Sequence, residues 1–444
     1  MNRREFMRCS ALFAATGLVR SVSASAAGEA ARAAKAAEAE STRNRAARRL
    51  IDSEPMLQAP AETSMGVVWA VTAMSNGWVD VSLSPDMSDA KRFVCGGYGL
   101  TGFHERVLQV RITGLRPATR YWYRISAERI DYRRNNNRVR GETEVGDVYS
   151  FVTLGSSAPS RFCVINDTHA DFTSFRMITE KLAELKPVAT LWNGDALSTC
   201  ETMEPAVDAF LRPRIELKNY AAENPILFNN GNHEFRGKWA RYNSQILMDR
   251  LPTERNPRDW ALKRNFAVRI GDIALIGLDT GDDRRDDHPI NAGLSNFQPY
   301  REAQTLWLED ALSKPEISSA PFLLASCHIP LLPRATEKDN PMWWSEYGFR
   351  NWGPLLSDAK AQAVIVGHMH EYRVNPAEDG RSWAQIEGGG YELGERRFGS
   401  RTIVNPGYFP TVMDVHAENG RLTVDVWDVW RKKKAGSHVF GRRV

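Results

Sequence analysis

No stretch of the 444-residue sequence approaches the roughly 18 consecutive apolar residues that a membrane-spanning helix needs. The longest apolar runs, such as AQAVIVG at 361–367, are strand-sized, so no membrane span is expected. Cysteine is scarce, at five residues, and shows none of the paired spacings that build a structural zinc site. Cys163 and Cys327 each sit inside an apolar run, where a thiol behaves as a small buried hydrophobe. Excess charge is also small, at +4. With 42% hydrophobic and 25% charged residues the chain is neither disordered nor fibrous, and its length exceeds one typical core, which points to two globular domains.

The N-terminus runs Asn2-Arg3-Arg4-Glu5-Phe6-Met7-Arg8, then the mildly apolar CSALFAATGLV, then the small-residue SVSASAA. In that order these features resemble a Tat-type (twin-arginine) signal peptide over residues 1–26, which implies export to the periplasm or the exterior. Its removal takes away four Arg and one Glu and brings the formal charge to +1, so the basicity belongs to the leader and gives no support for a nucleic-acid partner. A substrate of such a route folds before export. Cys95, Cys163, Cys200 and Cys327 are therefore permitted, not required, to form disulfides. Residues 27–58, Ala-rich with mixed charge, read as a helical or flexible linker.

From 59 to 155 the pattern becomes short alternating runs, GVVWAVT, RVLQVRITGL and RYWYRIS among them, the mark of an antiparallel sandwich. Leu115, Pro117, Thr119 and Tyr121 resemble the Leu-x-Pro-x-Thr-x-Tyr corner of a fibronectin type III domain, in which the Tyr hydroxyl closes a loop back onto the backbone. This small all-β part carries no clustered His or carboxylate and reads as a positioning module. Strands and helices alternate from 160 to about 430, an α/β layered arrangement in which ligand groups gather at the C-terminal ends of strands. Residues 431–444, with Lys432, Lys433 and Lys434, read as a basic C-terminal tail.

Those strand ends hold the chemistry. Asp167 and His169 follow RFCVIN, Asp195 follows LWNG, Asn232 and His233 follow PILFNNG, His328 follows LLASC, and His368 and His370 follow AVIVG. Five of the nine His residues lie at such ends, and packing gives no reason to repeat carboxylate and imidazole at one edge of a sheet. Residues i and i+2 on an extended segment point to the same side, so Asp167-x-His169 and His368-x-His370 can each offer two groups from one short turn. Carboxylate oxygen with imidazole nitrogen suits Zn, Mn or Fe.

The ordered blocks Asp167-Thr168-His169, Gly194-Asp195, Gly231-Asn232-His233-Glu234, Cys327-His328 and Gly367-His368-Met369-His370 resemble the signature of the calcineurin-like metallophosphoesterases. That resemblance implies a four-layer α/β/β/α fold over 160–430 and two divalent or trivalent metal ions (Fe, Mn or Zn). One ion would be held by Asp167, His169, Asp195 and His370, the other by Asp195, Asn232, His328 and His368. It further implies that a metal-bridging hydroxide attacks a small phosphoester in line while His233 assists the leaving group. Glu234 is expected either to orient His233 or to be a solvated carboxylate at a helix start. A sandwich placed before such a domain also resembles the purple acid phosphatases. That likeness breaks at His169, where the family has Gly, and at Ser198, where it has a Tyr ligand, so no tyrosinate-bound ferric site is expected.

Other features are weaker. The run Asp282-Asp283-Arg284-Arg285-Asp286-Asp287-His288 reads as a solvated loop or an active-site rim, and Arg284, Arg285, Arg334 and Arg350 are candidate phosphate-facing cations. Trp343, Trp344, Tyr347 and Trp352 would pack together or stack on a base or aryl group. Two alternatives stand beside the hydrolase reading: a surface-binding protein built on a phosphatase scaffold, and a nucleotide or cyclic-nucleotide phosphodiesterase.

Overall fold

The strand Arg161–Ile165 shows how the core is built. Its side chains alternate between two environments, Phe162 and Val164 on one face and Cys163 and Ile165 on the other, and all four are fully buried. A strand of period two that is apolar on both faces must lie in the middle of a layered structure. The strands Ile273–Gly277, Phe322–Ser326 and Ala363–Val366 alternate the same way: Ile273, Leu275, Phe322, Leu324 and Ile365 meet Phe162 and Val164, while Ala274, Ile276, Leu323, Ala325 and Val364 face the opposite side.

The computed structural model describes residues 49–443 except 97–98, 103, 133–137, 214–219, 243–261, 263, 334–345 and 399. The leader, most of the Ala-rich segment, Arg334, Trp343 and Trp344 lie outside the described residues. Two sheets pack face to face. One has nine strands, in the order Lys433–Gly441, Arg421–Asp428, Thr411–Glu418, Arg161–Ile165, Thr190–Asn193, Ile226–Asn229, Met56–Gln58, Ser64–Ala70 and Val107–Thr113. The other has six, in the order Phe266–Ile270, Ile273–Gly277, Phe322–Ser326, Ala363–Val366, Ala384–Glu387 and Arg373–Asn375. The helix Phe172–Leu185 covers the outer face of the first through Phe175, Ile178 and Leu182, and Asp171 caps its start by accepting from the Ser174 N–H at 2.7 Å. The helix Phe297–Ser313 contributes Leu308 and Ala311 to the outer face of the second. The result is the α/β/β/α layering expected for this fold class.

Three expectations are revised. Residues 56–58, read as linker, form a fully buried strand that pairs in parallel with Ile226 and antiparallel with Ser64–Ala70. Strands from the sandwich segment thereby extend the large sheet, and Ile51–Val444 folds as one compact unit. The supposed tail contains the edge strand Lys433–Gly441, paired with Arg421–Asp428 and tied by Lys434 Nζ to Asp425 at 2.6 Å. Its alternating exposed and half-buried positions match an edge strand, and its lysines discourage further pairing there. Asp167, His169, His368 and His370 lie on left-handed turns, not on extended backbone.

The Tyr121 corner forms as its chemistry requires, with the hydroxyl accepting from the Arg116 N–H at 3.0 Å. The four cysteines among the described residues are all free and buried. No helix among those residues is long and apolar enough to cross a membrane.

Candidate metal centre

The strands Arg161–Ile165, Thr190–Asn193 and Ile226–Asn229 run parallel in one sheet, and Ile273–Gly277, Phe322–Ser326 and Ala363–Val366 run parallel in the other. Their C-terminal ends release Asp167, Asp195, Asn232, His328 and His368 at one edge of the two-sheet stack. Local backbone is strained there. Of the thirteen non-glycine residues with positive φ among those described, five are Asp167, His169, Asp195, His368 and His370. Such conformations are unfavourable for residues with a Cβ and persist where the surroundings over-determine them, characteristically at functional sites. Gly231 is needed for close approach, because a Cβ at that position would lie 2.2 Å from Asp195 Oδ1.

All eight residues singled out in the sequence come together. Asp167, His169, Asp195 and His370 form one group whose ligating atoms lie within 4.8 Å of one another, and Asp195, His328 and His368 form a second. Asn232 joins the second through Oδ1, 3.0 Å from His368 Nδ1. Asp195 belongs to both. His370 Nε2 is 3.3 Å from Asp167 Oδ1 and 3.2 Å from His169 Nε2. His328 Nε2 is fully buried and lies 3.2 Å from Asp195 Oδ2.

The outer nitrogens are fixed by other partners. His328 Nδ1 donates to the Asn193 carbonyl at 2.7 Å, and His370 Nδ1 pairs with the Glu392 carboxylate. These contacts turn Nε2 of both rings inward, as in metal-bound imidazoles. Electrostatics agrees with a cation site. Burial pushes the Asp167 carboxyl up, and it pushes His169 down to about 2. Against burial, the Asp195 and Asp167 carboxylates lift His328 to about 10. A buried cluster that draws a proton onto one histidine while repelling it from another is short of positive charge. The donor set therefore fits two metal ions.

His233 stands outside both groups, with Nε2 3.9 Å from Asp195 Oδ2 and its ring edge-on to His169 at 4.6 Å. Its Nδ1 donates to the Ser198 carbonyl at 2.7 Å, and its Nε2 accepts from Arg236 Nη1 at 2.7 Å. Burial holds its basicity below the ordinary value, with Asp195 opposing. Glu234 fits neither expectation. It is buried, and its carboxylate accepts from the backbone N–H groups of Asp195 at 2.8 Å, Ala196 at 2.9 Å and Gly231 at 2.6 Å. It clamps two ligand-bearing loops together.

Several residues near the centre were not singled out in the sequence: Glu392 and Tyr391, which touch His370; Arg396, with Nη2 3.4 Å from His370 Nε2; and Arg236. The one available signal was the triple glycine 388–390 ending the strand Ala384–Glu387, since a Cβ on Gly390 would meet His370 at 2.8 Å. The charged run divides in two. Asp286 caps the helix Phe297–Ser313 by accepting from the Phe297 and Gln298 N–H groups, while Asp283 pairs with Arg236 at 3.4 Å. Arg284, Arg285 and Arg350 line a different cleft, which includes none of the candidate ligands. Tyr347 and Trp352 pack on each other, and both bond to the Thr305 hydroxyl.

Residues 160–372 match the family model described as Calcineurin-like phosphoesterase. No curated protein matches the sequence. Among solved structures, the chain is similar to the purple acid phosphatase PPD1 from yellow lupin (Lupinus luteus) seeds, with a TM-score of 0.62, 15% identity, and coverage of 87% of this chain and 74% of that one. A second is GAP50, the anchor in the inner membrane complex of Plasmodium, with a TM-score of 0.44, 15% identity, and coverage of 64% and 89%. The lupin likeness bears on the fold. Together with the ordered ligand blocks, the family match makes residues 160–372 a calcineurin-like phosphoesterase domain, and the protein that carries it a metal-dependent phosphoesterase.

Proposed function

We propose that the protein is an exported dinuclear-metal enzyme that hydrolyses small phosphoesters at the strand-end cluster. The observation that carries this reading is the sharing of Asp195 between two adjacent ligand groups. Asp167, His169, Asp195 and His370 would hold one ion, and Asp195, Asn232, His328 and His368 the other. When bound, such a pair supplies charge neutralisation at the phosphoryl oxygens and lowers the pKa of water.

The chain's own residues do the rest. Glu392 and the Asn193 carbonyl orient the His370 and His328 rings, and Glu234 holds the Asp195 loop against the Asn232 loop. His233, outside both ligand groups with Nδ1 held by the Ser198 carbonyl, would assist the leaving group by a hydrogen bond or a proton. The test is metal content alongside hydrolysis of p-nitrophenyl phosphate and bis(p-nitrophenyl) phosphate, comparing wild type with Asp195→Asn. A protein that holds two metals, cleaves neither ester and is indifferent to the substitution is not a phosphoesterase.

The export part of the proposal rests on the Arg3-Arg4 leader and is checked by sequencing the N-terminus of the mature protein, which should begin near Ala27. The fibronectin type III-like reading of 59–155 rests on the Tyr121 corner and makes that segment a positioning module.

A further inference from the structure

Two guanidinium groups stand beside the candidate ligands, and neither belongs to either metal group. Arg396 is anchored by the Glu392 carboxylate, which reaches Arg396 Nε at 3.3 Å with one oxygen and His370 Nδ1 with the other. That strut brings Arg396 Nη2 to 3.4 Å from His370 Nε2, the nitrogen that faces Asp167 and His169. Arg236 reaches His233 Nε2 with Nη1, while its Nη2 lies 3.4 Å from Asp283 and its Nε is buried without a partner. The His233 and His370 rings both touch His169, at 4.6 and 4.9 Å between centroids, so the two guanidiniums reach the same cleft.

Each guanidinium is held by a carboxylate, Arg236 by Asp283 and Arg396 by Glu392, and still turns N–H groups toward the candidate ligands. The arrangement makes sense when an anion lies between them. A guanidinium fork prefers a pair of unesterified phosphoryl oxygens, which it can hold through parallel N–H bonds. A monoester dianion carries one more such oxygen than a diester, and one more negative charge. Tyr391, with its ring 5.3 Å from His169 and 5.7 Å from His370, gives the same cleft a part-exposed aromatic wall for the ester group.

We propose that Arg236 and Arg396 form a two-sided clamp on the phosphoryl group and make the protein a phosphomonoesterase, an inference that rests on the phosphoesterase reading above. The clamp binds substrate and product phosphate alike, so its loss shows in binding as well as in turnover.

The experiment uses the metal-loaded full chain and the variants Arg396→Ala, Arg396→Lys, Arg236→Ala and Arg236→Lys. Three quantities are measured: kcat/KM on p-nitrophenyl phosphate and bis(p-nitrophenyl) phosphate, inorganic phosphate affinity by calorimetry, and metal content. Wild type is expected to favour the monoester by at least about tenfold, and each Ala variant to lose about 100-fold on the monoester but less than about fivefold on the diester. Phosphate affinity should fall by about tenfold or more with both metals retained, and the Lys variants should recover part of it, since charge returns without the fork. Equal losses on both esters, unchanged phosphate affinity, or a wild type that prefers the diester would overturn the clamp. Loss of metal from the Ala and Lys variants alike would overturn it too, by assigning the arginines to the metal scaffold. A wild type that holds metal but cleaves neither ester removes the phosphoesterase reading itself, which separates that failure from failure of the clamp.

Discussion

The Glu234 carboxylate accepts the backbone N–H of Asp195 at 2.8 Å, binding the loop that carries the shared carboxylate to the turn that carries Asn232 and His233. With Ala196 and Gly231 also donating to it, Glu234 satisfies buried backbone groups on two strand ends at once. Replacing it with Ala leaves those donors without partners, at about 1–3 kcal/mol for each buried group. Glu234→Ala should therefore lower thermal stability and metal content together. Glu234→Gln, whose amide oxygen can still accept, should do less of both in the same unfolding and elemental assays.

Asn232 and His233 are adjacent yet separable. Asn232 offers Oδ1 beside His368 in the second ligand group, whereas His233 lies outside both groups. Asn232→Ala should weaken retention of one metal. His233→Ala should keep both metals and slow turnover by about 10²- to 10⁴-fold, the range for loss of a general acid. Steady-state kinetics with metal analysis of the same preparations tells the two effects apart.

Asp195 is the largest single vulnerability, because it belongs to both ligand groups. Asp195→Asn should lose more metal than Asp167→Asn or His328→Ala, and should reduce ester hydrolysis by more than about 10³-fold, several kcal/mol of transition-state stabilisation.

Metal removal should also be visible in stability. Without cations, the cluster holds two buried carboxylates packed among four imidazole rings. A metal at about 1,000 times its dissociation constant adds about 4 kcal/mol to the folded state. Chelation should lower the unfolding temperature and re-addition of metal should restore it, as calorimetry would show.

The corner at Tyr121 gives a control remote from the chemistry. Tyr121→Phe removes the acceptor for the Arg116 N–H and should cost about 1 kcal/mol of stability, with ester hydrolysis unchanged. A drop in kcat would mean that the sandwich segment does more than position the catalytic part.

The eight candidate site residues were legible in the linear sequence because each motif follows an apolar strand, and parallel strands in an α/β layer deliver their C-terminal ends to one edge. Asp167 and His370 are about two hundred positions apart and still meet, at 3.3 Å, through that rule alone. Periodicity likewise revealed the two-faced burial of Phe162, Cys163, Val164 and Ile165. Less visible were residues whose role depends on which loop folds over the edge. Arg396 and Glu392 lie in a charged, glycine-rich stretch that by composition resembles any solvated turn, and Arg236 is one arginine among many. Glu234 occupies a motif position but owes its role to backbone groups of a different strand end.

From local pattern came an α/β layered arrangement and the polar residues at the strand ends, because alternation, turn glycines and strand-end polar residues are short-range features, whereas the four-layer fold and the candidate ligand sets came from the resemblance to the calcineurin-like metallophosphoesterases. Long-range packing decided that Met56–Gln58 and Lys433–Gly441 are strands of the large sheet, that Glu234 clamps loops, and that Arg236 and Arg396 converge on the candidate metal centre. A strand at a sheet edge and a cation beside a site are defined by their neighbours, and those neighbours lie far away along the chain.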